Sequence, residues 1–247
     1  FMKIFITREI PEAGTLLLKK KGFEVSVNKK DNPIPRKEFL KSIKDCDAVI
    51  SFLTDKIDGD TIDQMKNCKV IANYAVGFNN IDVEYAKSKG IIVTNTPDVL
   101  TDSTADLTLA LVLSCARLLR QAEEFVRARK FVGWKAKLFL GVELKNKYFG
   151  ILGAGRIGKK KKKRAHAFGC KIIYFSNVKN TGIEKTFGAK RGSLNMLLKK
   201  SDIVSIHLPL NKKTNNLLNK TNLQQLKKSA ILINTARGEI INEKFLL

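Results

Sequence analysis

The nine residues GILGAGRIG, positions 150–158, decide how the rest of the chain is read. Gly153, Gly155 and Gly158 stand in G-x-G-x-x-G spacing. That spacing alone is weak evidence. Here it follows the apolar run YFGILG, which reads as a buried strand, and opens a helical segment, as a dinucleotide-binding turn requires. Gly153 permits the tight turn, Gly155 lets the backbone approach a pyrophosphate, and Gly158 lets helix and strand pack closely. The pyrophosphate then rests on the helix N-terminus. The predicted cofactor residues in this turn are Gly153, Ala154, Gly155, Arg156, Ile157 and Gly158.

A dinucleotide site selective for NAD needs an acid about twenty residues further on, to hold the ribose 2′-hydroxyl. The next strand, KIIYFS, ends instead in Ser176, Asn177 and Val178, followed by Lys179. A missing carboxylate removes repulsion against a 2′-phosphate, and the lysine attracts it. NADP is therefore expected in preference to NAD.

Outward from the turn, short apolar runs alternate with helical segments in both directions, which indicates parallel βαβ units. Before it come KIFIT, FEVSVN, DAVISFL, KVIANYA and IIVTN; after it come KIIYFS, DIVSIHLPL and AILINTA. The two halves also match in detail. CDAVISFLTD parallels SDIVSIHLPL, and VIANYAVGFNNID parallels ILINTARGEIINE. The expected fold is α/β, with two doubly wound parallel-sheet domains: a flavodoxin-like domain over residues 1–98 and a Rossmann domain over 99–247. Ligands in such sheets bind beyond the carboxyl ends of the strands. That puts Val76–Gly77 and Arg237–Gly238 at equivalent loops, which meet across a cleft if the domains face each other.

Between the halves, helical character is expected from a cap at Thr101 or Ser103 to about Lys130, with a first half apolar on nearly every side. The following KFVGWKAKLFLGVEL holds Trp134, the only tryptophan. Residues 103–145 are expected to form a dimerisation helix and an arm on a partner subunit.

Composition narrows the function classes. The 247 residues carry 46 Lys and Arg against 23 Asp and Glu, a net charge of +23. The basic residues are spread along the chain without aromatic interleaving, so nucleic-acid binding is not expected. Cys46, Cys68, Cys115 and Cys170 form no CxxC pair, which predicts no metal site and a reducing, cytoplasmic setting. The apolar stretch from Leu107 to Ala116 is too short to span a bilayer. FMKIFITREI lacks the features of a signal peptide.

The segments NYAVGFNNID, STADLTLAL, LGAGRIG, DIVSIHLPL and ILINTARGE resemble the D-isomer-specific 2-hydroxyacid dehydrogenases, in particular their archaeal-type glyoxylate/hydroxypyruvate reductases. The likeness runs in order over nearly the whole chain. It implies reduction of a small 2-oxo acid by hydride from NAD(P)H. It implies that residues 1–98 bind the substrate. Arg237 matches the catalytic arginine that clamps the substrate carboxylate and polarises its carbonyl. The resemblance implies that the N–H groups of Val76 and Gly77 hold the same carboxylate and that Leu53 lines the pocket. It places Thr104 near the nicotinamide, Ser176, Asn177 and Val178 at the adenosine ribose, and Leu208, Thr235 and Ala236 along the dinucleotide.

The glutamate and histidine that complete the family's acid catalysis match nothing before the final EKFLL. The expectation is a C-terminally incomplete chain whose residues 1–247 alone turn over little or no substrate. His166 is expected to be solvated, and His207 to lie near the cofactor. A dinucleotide-sensing binding module and a phosphoglycerate or phosphite dehydrogenase are the alternatives on the same fold.

One stretch resists this reading. At 100° per residue, Ile157, Lys161, Ala165 and Phe168 share the stripe that packs on the sheet, with Lys162 near its edge. Burying an unpaired ammonium costs several kcal/mol. The identities at Lys161 and Lys162 therefore conflict with the packing, and a gene encoding the whole run would demand a buried partner for Lys161.

Overall fold

The computed structural model describes residues 1–30, 32–155 and 164–246. Contacts divide the chain into two units, Phe1–Val99 and Leu100–Leu247.

In the first unit β1 (Lys3–Ile6), β2 (Glu24–Val27), β3 (Ala48–Ser51), β4 (Val70–Asn73) and β5 (Ile92–Thr94) form one parallel sheet in the order 2-1-3-4-5. Helices α1 (Glu12–Lys20), α2 (Arg36–Ile43), α3 (Gly59–Gln64) and α4 (Val83–Ser88) make the crossovers. Two starts are fixed by side chains: Asp58 accepts from the Thr61 N–H and Asp82 from the Tyr85 N–H. Phe5, Val49 and Ile71 pack with Phe39, Ile43 and Ile62 into one core.

In the second unit β6 (Tyr148–Leu152), β7 (Lys171–Phe175), β8 (Lys190–Arg191), β9 (Ile203–Ile206) and β10 (Ile231–Asn234) form a parallel sheet in the order 10-9-6-7-8. Counted from β6 this is 5-4-1-2-3, the strand order of a mononucleotide-binding half extended on its far side. Both faces are covered. Phe149, Ile151, Ile172 and Tyr174 enter one core, while Leu152, Ile173, Val204 and Ile206 enter another. Alternate residues along each strand thus serve opposite layers.

Several local expectations are revised. The connecting helix is two helices, α5 (Thr101–Ala116) and α6 (Leu119–Arg127), because Leu118 adopts φ 55° and breaks the hydrogen-bond ladder. Neither Thr101 nor Ser103 caps it: Leu100 precedes the first turn, and the Ser103 hydroxyl donates back to the Leu100 carbonyl. Only the stripe Ala105, Thr108, Val112 and Ala116 of α5 is buried, and Leu107 is 55% exposed. One further helix, α7 (Thr181–Phe187), precedes β8; α8 (Leu194–Lys200) forms where SLNMLLKKS reads as helical, and the helix expected over KTNLQQLKKS shortens to α9 (Lys220–Leu223). Ala165 is buried as expected, but Phe168 is 42% exposed. Arg156, Ile157, Gly158 and the run Lys159–Lys163 lie outside the described residues.

All four cysteines are free thiols, and Cys46, Cys68 and Cys170 are buried. Burial pushes the Cys68 and Cys170 thiols up to about 11. A thiol so protonated is a poor nucleophile at neutral pH. Ellman titration at pH 8 is expected to spare these three until the protein is unfolded. A four-thiol burst in the native protein would contradict that packing.

Candidate functional site

Each unit closes one strand with an asparagine whose side chain reaches into the following loop. In the first unit Asn73 closes β4, and its Nδ2 donates to the Gly77 carbonyl at 2.7 Å. In the second Asn234 closes β10, and its Nδ2 donates to the Arg237 carbonyl at 2.8 Å. The Asn234 Oδ1 also accepts from the Ala236 N–H at 3.0 Å. The sequence parallel between NYAVG and NTARG is thus a structural one: a strand-end amide folds the following loop back over itself.

The first loop has a marked polarity. The Val76 carbonyl accepts from Asn95 Nδ2 at 2.8 Å, and the Gly77 carbonyl is held by Asn73. Among the described residues, no acceptor meets the N–H groups of Val76 and Gly77. Two adjacent amides whose own carbonyls are already engaged are the kind of donors that can meet an anion. Leu53, 43% exposed, projects from the neighbouring loop after β3.

Asn80 ties these two loops together. Its Nδ2 donates to the carbonyls of Phe52 and Asp55, both at 3.0 Å. Buried Asp55 accepts from the Phe52 N–H at 2.7 Å and from the Thr7 hydroxyl at 2.5 Å. Asn80→Asp would turn an oxygen toward two carbonyls and lose both donors. We expect KM for the 2-oxo acid to rise about tenfold, with dinucleotide Kd unchanged, if the loops are positioned this way. An unchanged KM would dismiss Asn80 as a positioning residue. Sequence reading passed over Asn80, because nothing in its spacing indicates a bond to a loop 25 residues earlier.

In the second unit Gly153, Ala154 and Gly155 follow β6, Ser176, Asn177 and Val178 follow β7, Leu208 follows β9, and Thr235, Ala236 and Arg237 follow β10. The Gly153 N–H donates to the Phe175 carbonyl at 2.9 Å, which joins the glycine turn to the end of β7. Gly153 has φ 100°, and a Cβ there would lie 2.5 Å from the His207 carbonyl oxygen and 3.0 Å from the Leu208 nitrogen. The turn therefore sits directly against Leu208. Gly155 is different: among the described residues, a Cβ there would meet nothing within 4 Å. Its backbone is open to a close ligand, which fits the pyrophosphate of a dinucleotide.

The hydroxyls of Thr108 and Thr235 are 2.9 Å apart, and Thr108 also donates to the Thr104 carbonyl at 2.9 Å. This brings Thr104 on α5 beside Thr235 after β10. Arg164, on the helical stretch that follows the glycine turn, pairs with Asp106 at 2.6 Å and Asp102 at 3.4 Å, both on α5. Its pKa is raised chiefly by the hydrogen bond to Asp106.

Arg237 is half-buried, in extended backbone at φ −142°. Its Nη1 donates to the Ala236 carbonyl at 2.8 Å. With Asn234, Thr235, Ala236 and Glu243 it lines an open hollow of about 540 Å³. His166 is exposed, as expected, and lies against Phe187, while His207 Nε2 lies 2.6 Å from the Ser205 hydroxyl.

At the ribose end, Ser176, Asn177 and Val178 follow β7, and Val178 is 75% exposed. Lys179 is engaged, its Nζ 3.6 Å from Glu184. Glu184 also accepts from the Tyr174 hydroxyl at 2.8 Å, and burial raises the Tyr174 pKa. A second cation, unnoticed in the sequence, reaches this point: Arg191 donates to the carbonyls of Ser176 and Asn177.

A parallel sheet with a glycine-rich turn after its first strand, joined to a second parallel-sheet unit, is the architecture of an NAD(P)-dependent oxidoreductase. The chain belongs to the D-isomer specific 2-hydroxyacid dehydrogenases, whose NAD binding domain matches residues 109–247. It is 44% identical to the glyoxylate reductase of Thermococcus kodakarensis, over 99% of this chain and 74% of that protein. The TT0316 protein of Thermus thermophilus superposes with a TM-score of 0.92 at 38% identity, covering 99% of this chain and 77% of the other. An acyclic imino acid reductase, Bsp5, solved with NADPH and D-Arg, superposes at 0.87 with 28% identity, covering 99% and 78%. The activity is the NAD(P)H-dependent reduction of a 2-oxo acid to a D-2-hydroxy acid. No helix among the described residues is long and apolar enough to cross a membrane.

Proposed function

We propose that the substrate is glyoxylate or hydroxypyruvate and that NADPH is the preferred reductant. The observation that carries the substrate class is the loop at Val76–Gly77, whose carbonyls are tied back while its N–H groups remain available to a carboxylate. Leu53 supplies an apolar wall suited to a short substrate. In this reading Arg237 pairs with the carboxylate and donates to the carbonyl oxygen, where negative charge builds during reduction. Thr104, Thr235 and Ala236 position the nicotinamide, which supplies the hydride when bound. Gly153, Ala154 and Gly155, with Arg156, Ile157 and Gly158, cradle the pyrophosphate, and Leu208 borders the adenosine. The NADP preference is supported by the lack of a carboxylate at Ser176, Asn177 or Val178.

The test is spectrophotometric oxidation of NADPH and NADH with glyoxylate, hydroxypyruvate, 3-phosphohydroxypyruvate and pyruvate. Glyoxylate or hydroxypyruvate with NADPH should give the highest kcat/KM. In the protein encoded by the whole gene, dinucleotide binding without turnover of any 2-oxo acid would point instead to a sensor.

Two further parts of the reading concern setting. The free buried thiols suit a reducing cytoplasm. Leu107, Leu119, Val126, Phe131, Val132 and Trp134 are exposed apolar side chains on α5, α6 and the segment after them, which supports a homodimer formed through 103–145. Sedimentation at micromolar concentration should show twice the chain mass, and a monomer would refute it.

A further inference from the structure

We infer that Arg191 reads the 2′-phosphate of the dinucleotide. The inference rests on the NADP preference proposed above and assigns it to a side chain. In this sheet topology the adenosine ribose lies past the end of the second strand of the nucleotide-binding half, here β7. Arg191 belongs to the adjacent edge strand β8, where it pairs in parallel register with Tyr174. From that position its side chain runs along β7 and past its end. Nε and Nη2 both donate to the Ser176 carbonyl, at 3.1 and 2.9 Å, and Nη2 donates to the Asn177 carbonyl at 2.9 Å.

These bonds fix the guanidinium plane at the position where an NAD-selective enzyme carries its acid. Among the described residues, Nη1 meets no acceptor, and its two N–H groups are available to a ligand. A guanidinium offers paired donors that match phosphate oxygens, and one held in advance loses little freedom on binding. The cation and acid next to the ribose residues in sequence face each other. Glu184 is taken up by Tyr174 and Lys179, and Lys179 is correspondingly engaged. Arg191 is thus the cation fixed at this site by bonds to the very loop that carries the ribose contacts.

The experiment is calorimetric titration of the enzyme with 2′,5′-ADP and with 5′-AMP, which differ only in the 2′-phosphate. The wild type should bind 2′,5′-ADP at least about tenfold more tightly. Arg191→Gln should abolish most of that difference while moving the 5′-AMP Kd by less than about twofold, and Arg191→Lys should restore only part. In the wild type the difference should shrink as salt rises. A wild-type preference that survives in Arg191→Gln overturns the assignment and leaves the NADP reading standing. Equal weakening of both ligands shows a role only in loop structure and also overturns it. No wild-type preference removes the NADP reading itself.

Discussion

Arg237→Ala is expected to lower kcat/KM for the 2-oxo acid by about 10³-fold, leaving the dinucleotide Kd within a few-fold of wild type. Two losses combine. The substrate carboxylate loses a charge-assisted partner, which raises KM. The carbonyl oxygen loses a donor that matters most as it becomes negative, which lowers kcat. Removing one partner of a desolvated charge pair typically costs about 2–5 kcal/mol, and each 1.36 kcal/mol is a factor of ten. Arg237→Lys should recover little, because an ammonium cannot hold two acceptors in one plane. The fold should survive, since the loop is anchored independently by Asn234, whose side chain holds both the Arg237 carbonyl and the Ala236 N–H. Steady-state kinetics with saturating NADPH checks the first claim. An alanine variant within tenfold of wild type would remove Arg237 from the chemistry.

Gly153→Ala should damage the fold of the second unit, and Gly155→Ala should not. At Gly153 the new Cβ would stand 2.5 Å from the His207 oxygen and 2.7 Å from its carbonyl carbon. Those are backbone atoms at the end of β9 and cannot rotate aside. The φ of 100° adds strain of about 1–3 kcal/mol for any L side chain. With overpacking of similar size, a loss of about 3 kcal/mol or more is expected, together with loss of dinucleotide binding. At Gly155 the new methyl meets open space, so thermal stability should stay near wild type while dinucleotide affinity falls. Parallel melting curves and NADPH titrations separate the two cases. Equal stabilities for both variants would refute the packing described at Gly153.

Those two glycines show how far the sequence could be read. The G-x-G spacing located the turn and the reason for each glycine, because backbone constraints of this kind are local. Strand and helix alternation was legible for the same reason: strands such as Ile203–Ile206, buried throughout, read as short apolar runs, here broken only by Ser205. The helix Thr181–Phe187 was not. It has a cap at each end, Asn180 and Gly188, but buries only Ile183, too little for a periodic signal. The break at Leu118 was invisible because neither glycine nor proline marks it. Within the candidate site, residues on strand-end loops were found from the internal likeness of the halves. Asn80 and Arg191 were missed because their roles depend on reaching across to another segment. Lys179 was favoured over Arg191 because it is nearer in sequence, yet Glu184 neutralises it in part.

The strand-end asparagines carry one more implication. Asn73 and Asn234 act as related brackets, closing on the carbonyl four residues on in one loop and three in the other, and the residues at the matching position differ: valine at 76, arginine at 237. A duplicated, electrically neutral frame can thereby present bare amides in one copy and a full positive charge in the other. The functional asymmetry needs no difference in architecture, and it could be moved, weakened or doubled by exchanging a single side chain on an unchanged mount.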